Sequence, residues 1–173
     1  MEKEDVDLII SYFLQADADF LQDMGVDSKK LPHRETWQKL LFEDLARPIR
    51  RKNFFYLIWE LDGSPIGHSN INNITFGNEA HMHLHLWEPG KRRCGHGSSF
   101  IRESISVYFE KFDLQNLFCE PYALNPAPNK TLAEIGFELI KQYDTVPGWI
   151  NFFQTVNQWI LSRENWRSLN NGA

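Results

Sequence analysis

A chain of 173 residues, 42% hydrophobic and 14% aromatic, can bury one core and is most simply one domain. Its formal net charge of −5 disfavours nonspecific binding to nucleic acid, and no apolar run is long enough to span a membrane. Two cysteines, Cys94 and Cys119, make no framework of pairs, and the start Met1-Glu2-Lys3-Glu4-Asp5 lacks a basic and then apolar leader, so a cytoplasmic protein with reduced thiols is expected.

From Val6 to Leu21 apolar residues recur at helical spacing, and after Pro32 a second helix is predicted from Glu35 to Leu45, with Trp37, Leu40, Leu41 and Leu45 as its buried stripe. The basic run Arg47 to Lys52 reads as solvated surface. Phe54 to Leu61 and Ile66 to Ile74 read as strands joined at Asp62-Gly63. Past Gly77-Asn78, the stretch Ala80 to Trp87 alternates His81, His83 and His85 with Met82, Leu84 and Leu86, the period of a strand. Phe100, Ile101, Ile105, Tyr108, Phe109 and Phe112 return to helical spacing. Leu117 to Leu124 reads as a buried strand interrupted by Pro121, which favours a bend or a splayed edge. A short helix follows Asn125 and stops at Gly136, and Phe137 to Gln142 and Ile150 to Leu161 are the last two strands. Residues 1–161 therefore read as a single domain, and 162–173 as a polar tail expected to fray.

Between the histidine strand and the next helix lies Arg92-Arg93-Cys94-Gly95-His96-Gly97-Ser98. Two glycines let successive backbone N–H groups converge, and a helix start adds partial positive charge, so the turn suits a phosphate or pyrophosphate. It is not a Walker loop, because Ser98 and Ser99 follow Gly97 where Lys and then Ser or Thr are required. It is not a dinucleotide fingerprint, because the third glycine is absent.

What remains, Arg-x-x-Gly-x-Gly from Arg92 to Gly97, resembles the coenzyme A pyrophosphate loop of the GNAT superfamily of N-acetyltransferases. Asn125 to Phe137 resembles that superfamily's second signature, an Asn opening a short helix that ends in Gly-Phe. The resemblance covers roughly residues 54–143. It implies an α/β (α+β) fold with a central mixed, mostly antiparallel sheet flanked by helices, whose fourth and fifth strands splay apart to admit acetyl-CoA. The superfamily's opening strand is not evident, since the chain starts with a helix.

Acetyl transfer from a thioester to an amine requires the two to be held together, a donor for the developing oxyanion, and removal of a proton from the ammonium. The resemblance implies that backbone groups near Leu86 and Trp87 serve the first two needs. With them, Arg92, Arg93, Cys94, Gly95, His96, Gly97, Ser98, Asn125 and Lys130 form the expected cofactor set. No acyl-enzyme nucleophile is required, so both cysteines can be bystanders.

Imidazoles titrate near neutrality, which makes His81 and His83 candidate bases. A His-x-His pair at this distance from the motif arginine is similar to the proton path of arylalkylamine N-acetyltransferases, a GNAT branch. Half-buried structural histidines and a His-x-His zinc site are the alternatives, although no metal is expected. The family's helix Tyr is replaced by Leu132, so Tyr122, or else Tyr143, is the candidate acid, and Pro128 removes a backbone donor. His85 and Trp149 are candidate acceptor contacts. The expected partner is an amine, with no nucleic acid and no membrane; a homodimer is compatible with the sequence. A coenzyme A-binding module without catalysis remains the alternative function.

Overall fold

The computed structural model describes residues 1–87 and 96–171. Its described residues form six helices and a six-stranded sheet. The helices are α1 (Val6–Leu14), α2 (Ala18–Asp23), α3 (Arg34–Leu45), α4 (His96–Phe112), α5 (Pro126–Ile135) and α6 (Arg163–Asn171). The strands are β1 (Phe55–Leu61), β2 (Ser64–Thr75), β3 (Glu79–Leu86), β4 (Asn116–Cys119), β5 (Glu138–Thr145) and β6 (Gln154–Ser162). Their order across the sheet is β1-β2-β3-β4-β6-β5, and every pairing is antiparallel except β3 with β4. The mixed α/β architecture expected from the sequence is thus the one observed. Because no strand precedes α1, the expected fourth and fifth strands are β3 and β4.

Two apolar clusters sandwich the sheet. Ile101, Ile105, Tyr108, Phe109 and Phe112 of α4 pack with Ile71, Met82, Leu117 and Leu161 on one face. On the other, Ile9, Ile10 and Phe13 of α1 pack with Trp37 and Leu41 of α3. Among the described residues, no helix is long and apolar enough to cross a membrane.

Leu40, expected in the buried stripe of α3, is exposed, and the last strand, expected from Ile150, begins at Gln154; three further segments differ from their sequence-based expectation. The first helical stripe is broken in two, because the Asp17 carboxylate accepts from Phe20 N–H at 2.7 Å and caps a new helix there. The tail expected to fray instead forms α6 from Arg163. Trp166 is buried in the core, and the Arg163 guanidinium bonds the Leu114 and Phe109 carbonyls. The strand expected from Leu117 to Leu124 ends at Cys119, and its continuation no longer pairs with β3.

Pro121 explains that departure. β3 and β4 are in register only at Glu79–Asn116, Ala80–Leu117 and His81–Phe118. Having no N–H, Pro121 cannot donate to β3. The chain beyond follows β6 instead: Asn157 N–H donates to the Pro121 carbonyl at 3.1 Å, and Ala123 N–H to that of Thr155 at 2.9 Å. At the opening, Cys119 Sγ–H donates to the Met82 carbonyl at 3.2 Å, where a ladder bond would otherwise stand. β3 runs on to Leu86 with no strand on that side.

Candidate active site

The gap between β3 and β4 leads into a cavity of about 180 Å³ beneath α1, α2 and α3. Antiparallel strands alternate the direction of their peptide groups. Trp87 N–H donates to the Ile66 carbonyl of β2 at 2.9 Å, so its amide is committed inside the sheet. By the same alternation Met82 and Leu84 turn their peptide groups toward the gap, as the Cys119 bond to Met82 shows. Gly67 brings the end of β3 close: a Cβ there would lie 2.5 Å from the His85 carbonyl oxygen.

The expected phosphate cradle is placed in part. Arg92, Arg93, Cys94 and Gly95 lie outside the described residues. His96, Gly97 and Ser98 form the first turn of α4, whose N-terminus is the positive end of a 17-residue helix. Among the described residues, a Cβ on Gly97 would meet nothing within 4 Å.

In the second signature, Asn125 caps α5 by accepting from Ala127 N–H at 3.3 Å, and its amide donates to the Asp23 carbonyl at 3.3 Å. Pro126 and Pro128 occupy the first turn, where an N–H has no partner inside the helix. Gly136 ends the helix in the left-handed region at φ +111°, and Phe137 N–H returns to the Leu132 carbonyl. Leu132, where the family places Tyr, is buried in the core. Lys130 is 79% exposed and lies 3.8 Å from Glu134, one helical turn away.

His81, His83 and His85 share one face of β3, opposite Asn72, Asn70 and His68 of β2. Burial and then His81 push His83 down to about 4, against an opposing pull from Glu120. Burial and then His83 push His85 down to about 3. His68 stacks on His85 with ring centroids 4.7 Å apart, and burial, then His85 and His83, hold it well below the usual range. All three are therefore neutral at pH 7. His68 Nδ1 accepts from Trp87 Nε1–H at 2.8 Å, which leaves its proton on Nε2. His68 Nε2, Asn72 Oδ1, His83 Nε2 and His85 Nδ1 are buried without a hydrogen-bond partner, and all four residues line the cavity. Unpaired buried polar atoms are rare in folded proteins and concentrate where a ligand or water completes them.

Glu120 is central to the geometry of the cavity. Its side chain is 9% exposed and lines the cavity just past the gap. Tyr143 O–H and Gln158 Nε2–H donate to its Oε1 at 2.5 and 2.6 Å, and His81 Nδ1 lies 3.7 Å from Oε2. Burial and this bond push the Tyr143 phenol up to about 12, so it stays a donor. No local motif marks Glu120, because β6 and β5 supply the groups that orient it.

Tyr122 and Trp149 also line the cavity. Tyr122 packs edge-on to Phe152, and Trp149 edge-on to Trp37 at 5.8 Å. Cys119 is buried with its thiol pushed far up by burial, which suits a bystander. Among the described residues, no group of three or more His, Cys, Asp or Glu is placed to hold a metal ion.

A parallel strand pair that opens at a proline, a long helix next in the chain after the strand that borders the gap, and a cavity leading from that gap accord with an acyl-CoA-dependent N-acyltransferase. The chain belongs to the acetyltransferase (GNAT) family, whose model matches residues 20–137, and acetyl-CoA is its cosubstrate. The fold is similar to spermidine N-acetyltransferase from Vibrio cholerae in complex with CoA and spermine, at TM-score 0.78 and 13% identity over 96% of this chain and 95% of that one. It is also similar to an aminoglycoside acetyltransferase in complex with coenzyme A and kanamycin (TM-score 0.75, 13% identity, 98% and 96% covered). A ribosomal-protein alpha-N-acetyltransferase in complex with coenzyme A gives TM-score 0.76 and 14% identity, with 95% and 92% covered. No curated protein sequence matches the chain.

Proposed function

We propose that the protein transfers the acetyl group of acetyl-CoA to a primary amine of a small molecule or peptide by direct attack. The observation that carries this reading is the meeting of the strand gap with a cavity lined by Glu120, whose carboxylate lies 3.7 Å from His81 Nδ1.

The cosubstrate supplies an activated thioester. In this reading its diphosphate lies at the α4 start, held by the amides of His96, Gly97 and Ser98 and by the expected loop residues Arg92, Arg93, Cys94 and Gly95. The pantetheine arm lies along β3, beside the peptide groups of Leu84 and Leu86, with Asn125 at the far wall and Lys130, outside the cavity, reaching toward a coenzyme phosphate. Trp87 contributes through its side chain, which orients His68, since its amide is already bonded.

His83 is a poor final acceptor for an ammonium proton, because an imidazole near 4 holds a proton weakly at neutral pH. A neutral imidazole can still pass a proton, accepting at one nitrogen while releasing from the other. Glu120, 3.7 Å from His81 Nδ1, is the carboxylate that offsets positive charge along this path. Tyr122 is the candidate donor to the departing thiolate, and His85 and Trp149 form the acceptor wall.

A thiol-release assay against a panel of amines tests the reading, together with the dose-dependent rise in melting temperature that acetyl-CoA should produce. Release with at least one amine is the expected result. A rise in melting temperature with no thiol release across the panel would instead favour a binding module without catalysis.

A further inference from the structure

We propose that the acceptor is a primary amine with a single positive charge and an apolar arm, and that the site discriminates against polyamines. This rests on the acetyl-transfer reading above and narrows it. Among the described residues that line the cavity, Glu120 alone carries a formal charge at neutral pH. The rest of the wall is made of rings, neutral imidazoles, carboxamides and aliphatic side chains. Glu120 can balance one ammonium, and its orientation by Tyr143 and Gln158 leaves Oε2 facing the His81 side.

Beyond that carboxylate the wall is aromatic: Phe13, Trp37, Tyr56 and Trp149 line it, with Trp37 and Trp149 in edge contact. A second ammonium on the arm would sit among these rings with no opposite charge. Taking a charge out of water without a partner is strongly unfavourable, and contact with ring faces recovers only part of the loss.

The roof also limits the arm. The Gly25 carbonyl accepts from Asn151 Nδ2–H at 2.9 Å, Gln154 Nε2–H at 2.8 Å and Phe152 N–H at 3.4 Å, and Asp27 N–H donates to the Ile150 carbonyl at 2.8 Å. These bonds tie the end of α2 to the segment before β6. The cavity measures about 180 Å³ and opens toward solvent on the Trp149 side, so only a slender arm fits along its ring-lined inner wall. The solved relatives described above hold spermine and kanamycin, which carry several amino groups.

The test compares hexylamine, the matching terminal diamine and spermidine in thiol-release kinetics, and by calorimetry with coenzyme A present. Hexylamine should exceed both others at least about tenfold in kcat/KM and in affinity. Glu120→Gln should remove that advantage while leaving the affinity of hexanol, the uncharged isostere, within about twofold; a merely structural Glu120 would weaken both ligands alike. Asn72→Asp adds a second carboxylate to the lining and should narrow the gap between monoamine and diamine. Equal or better use of the diamine by the wild-type protein would overturn the charge argument and leave acetyl transfer standing. If no amine is acetylated although coenzyme A binds, the acetyl-transfer reading fails. Calorimetry then decides separately: preference for hexylamine supports the inference, and no preference or no binding overturns it.

Discussion

The two faces of β3 are built on opposite terms. On one, Ala80 and Met82 are buried against α4, with Leu84 and Leu86 packed beside them. On the other, His83 and His85, with His68 across the strand pair, keep buried nitrogens that no described residue satisfies. The first face is what folding alone would select, since apolar burial is its dominant favourable term. The second works against folding stability and is retained where chemistry needs groups poised without partners. One strand thus carries core on one side and a row of imidazoles on the other, a division that a period of two makes available.

The largest expected effect lies where the cosubstrate must arrive for either face to matter. Gly97→Glu should abolish the rise in melting temperature with acetyl-CoA and lower kcat/KM by about a hundredfold or more, because it sets a carboxylate where anion-binding amides are needed. Since a Cβ at Gly97 meets nothing within 4 Å among the described residues, the melting temperature without ligand should be nearly unchanged. A retained acetyl-CoA response would break the assignment of the α4 start.

On the histidine face, His81→Ala and His83→Ala should each lower turnover by roughly tenfold to a hundredfold near neutral pH. The loss should shrink at higher pH, where the amine sheds its own proton. An unaltered pH–rate profile in both variants would remove the proton path. On the apolar face, Met82→Ala should do the reverse, destabilising the protein by about 2–5 kcal/mol in denaturant titrations. Turnover per folded molecule should stay within a few-fold of wild type.

The faces should also separate on acidification. His83 and His85 sit at about 4 and about 3 in the folded chain against 6.5 when unfolded, so the unfolded chain binds protons first as the pH falls. Their effect on stability is therefore absent above 6.5 and grows as a penalty down to the folded values, reaching roughly 3 kcal/mol for His83. Melting temperature should drop between pH 7 and pH 4, and His83→Gln should flatten that slope. A slope unchanged in this variant would mean that other groups carry it. The smallest effect is expected at Trp149, which is 49% exposed. Trp149→Ala should raise the acceptor KM a few-fold more than the acetyl-CoA KM, and equal changes in both would count against a wall role.

Much of the site was legible along the chain because its parts are local. The alternation from His81 to Leu86, the glycine turn before α4 and the Asn125-to-Phe137 helix each lie within one element or one turn, where spacing alone determines direction. Pro121 announced the splay, since a missing N–H is a property of the residue itself. The neutrality of His83 and His85 was not legible, because burial by α1 is what pushes their protons off.

By itself, then, the sequence determined the order of elements and the strand that carries the imidazoles, both consequences of backbone period and local residue chemistry. Tertiary structure alone decided that Glu120 is the cavity's formal charge, that Trp87 orients His68, and that residues from Arg163 form a helix rather than a loose tail. Each of those depends on groups far apart along the chain. Their meeting is set by how the sheet pairs and what it buries, which no local pattern encodes.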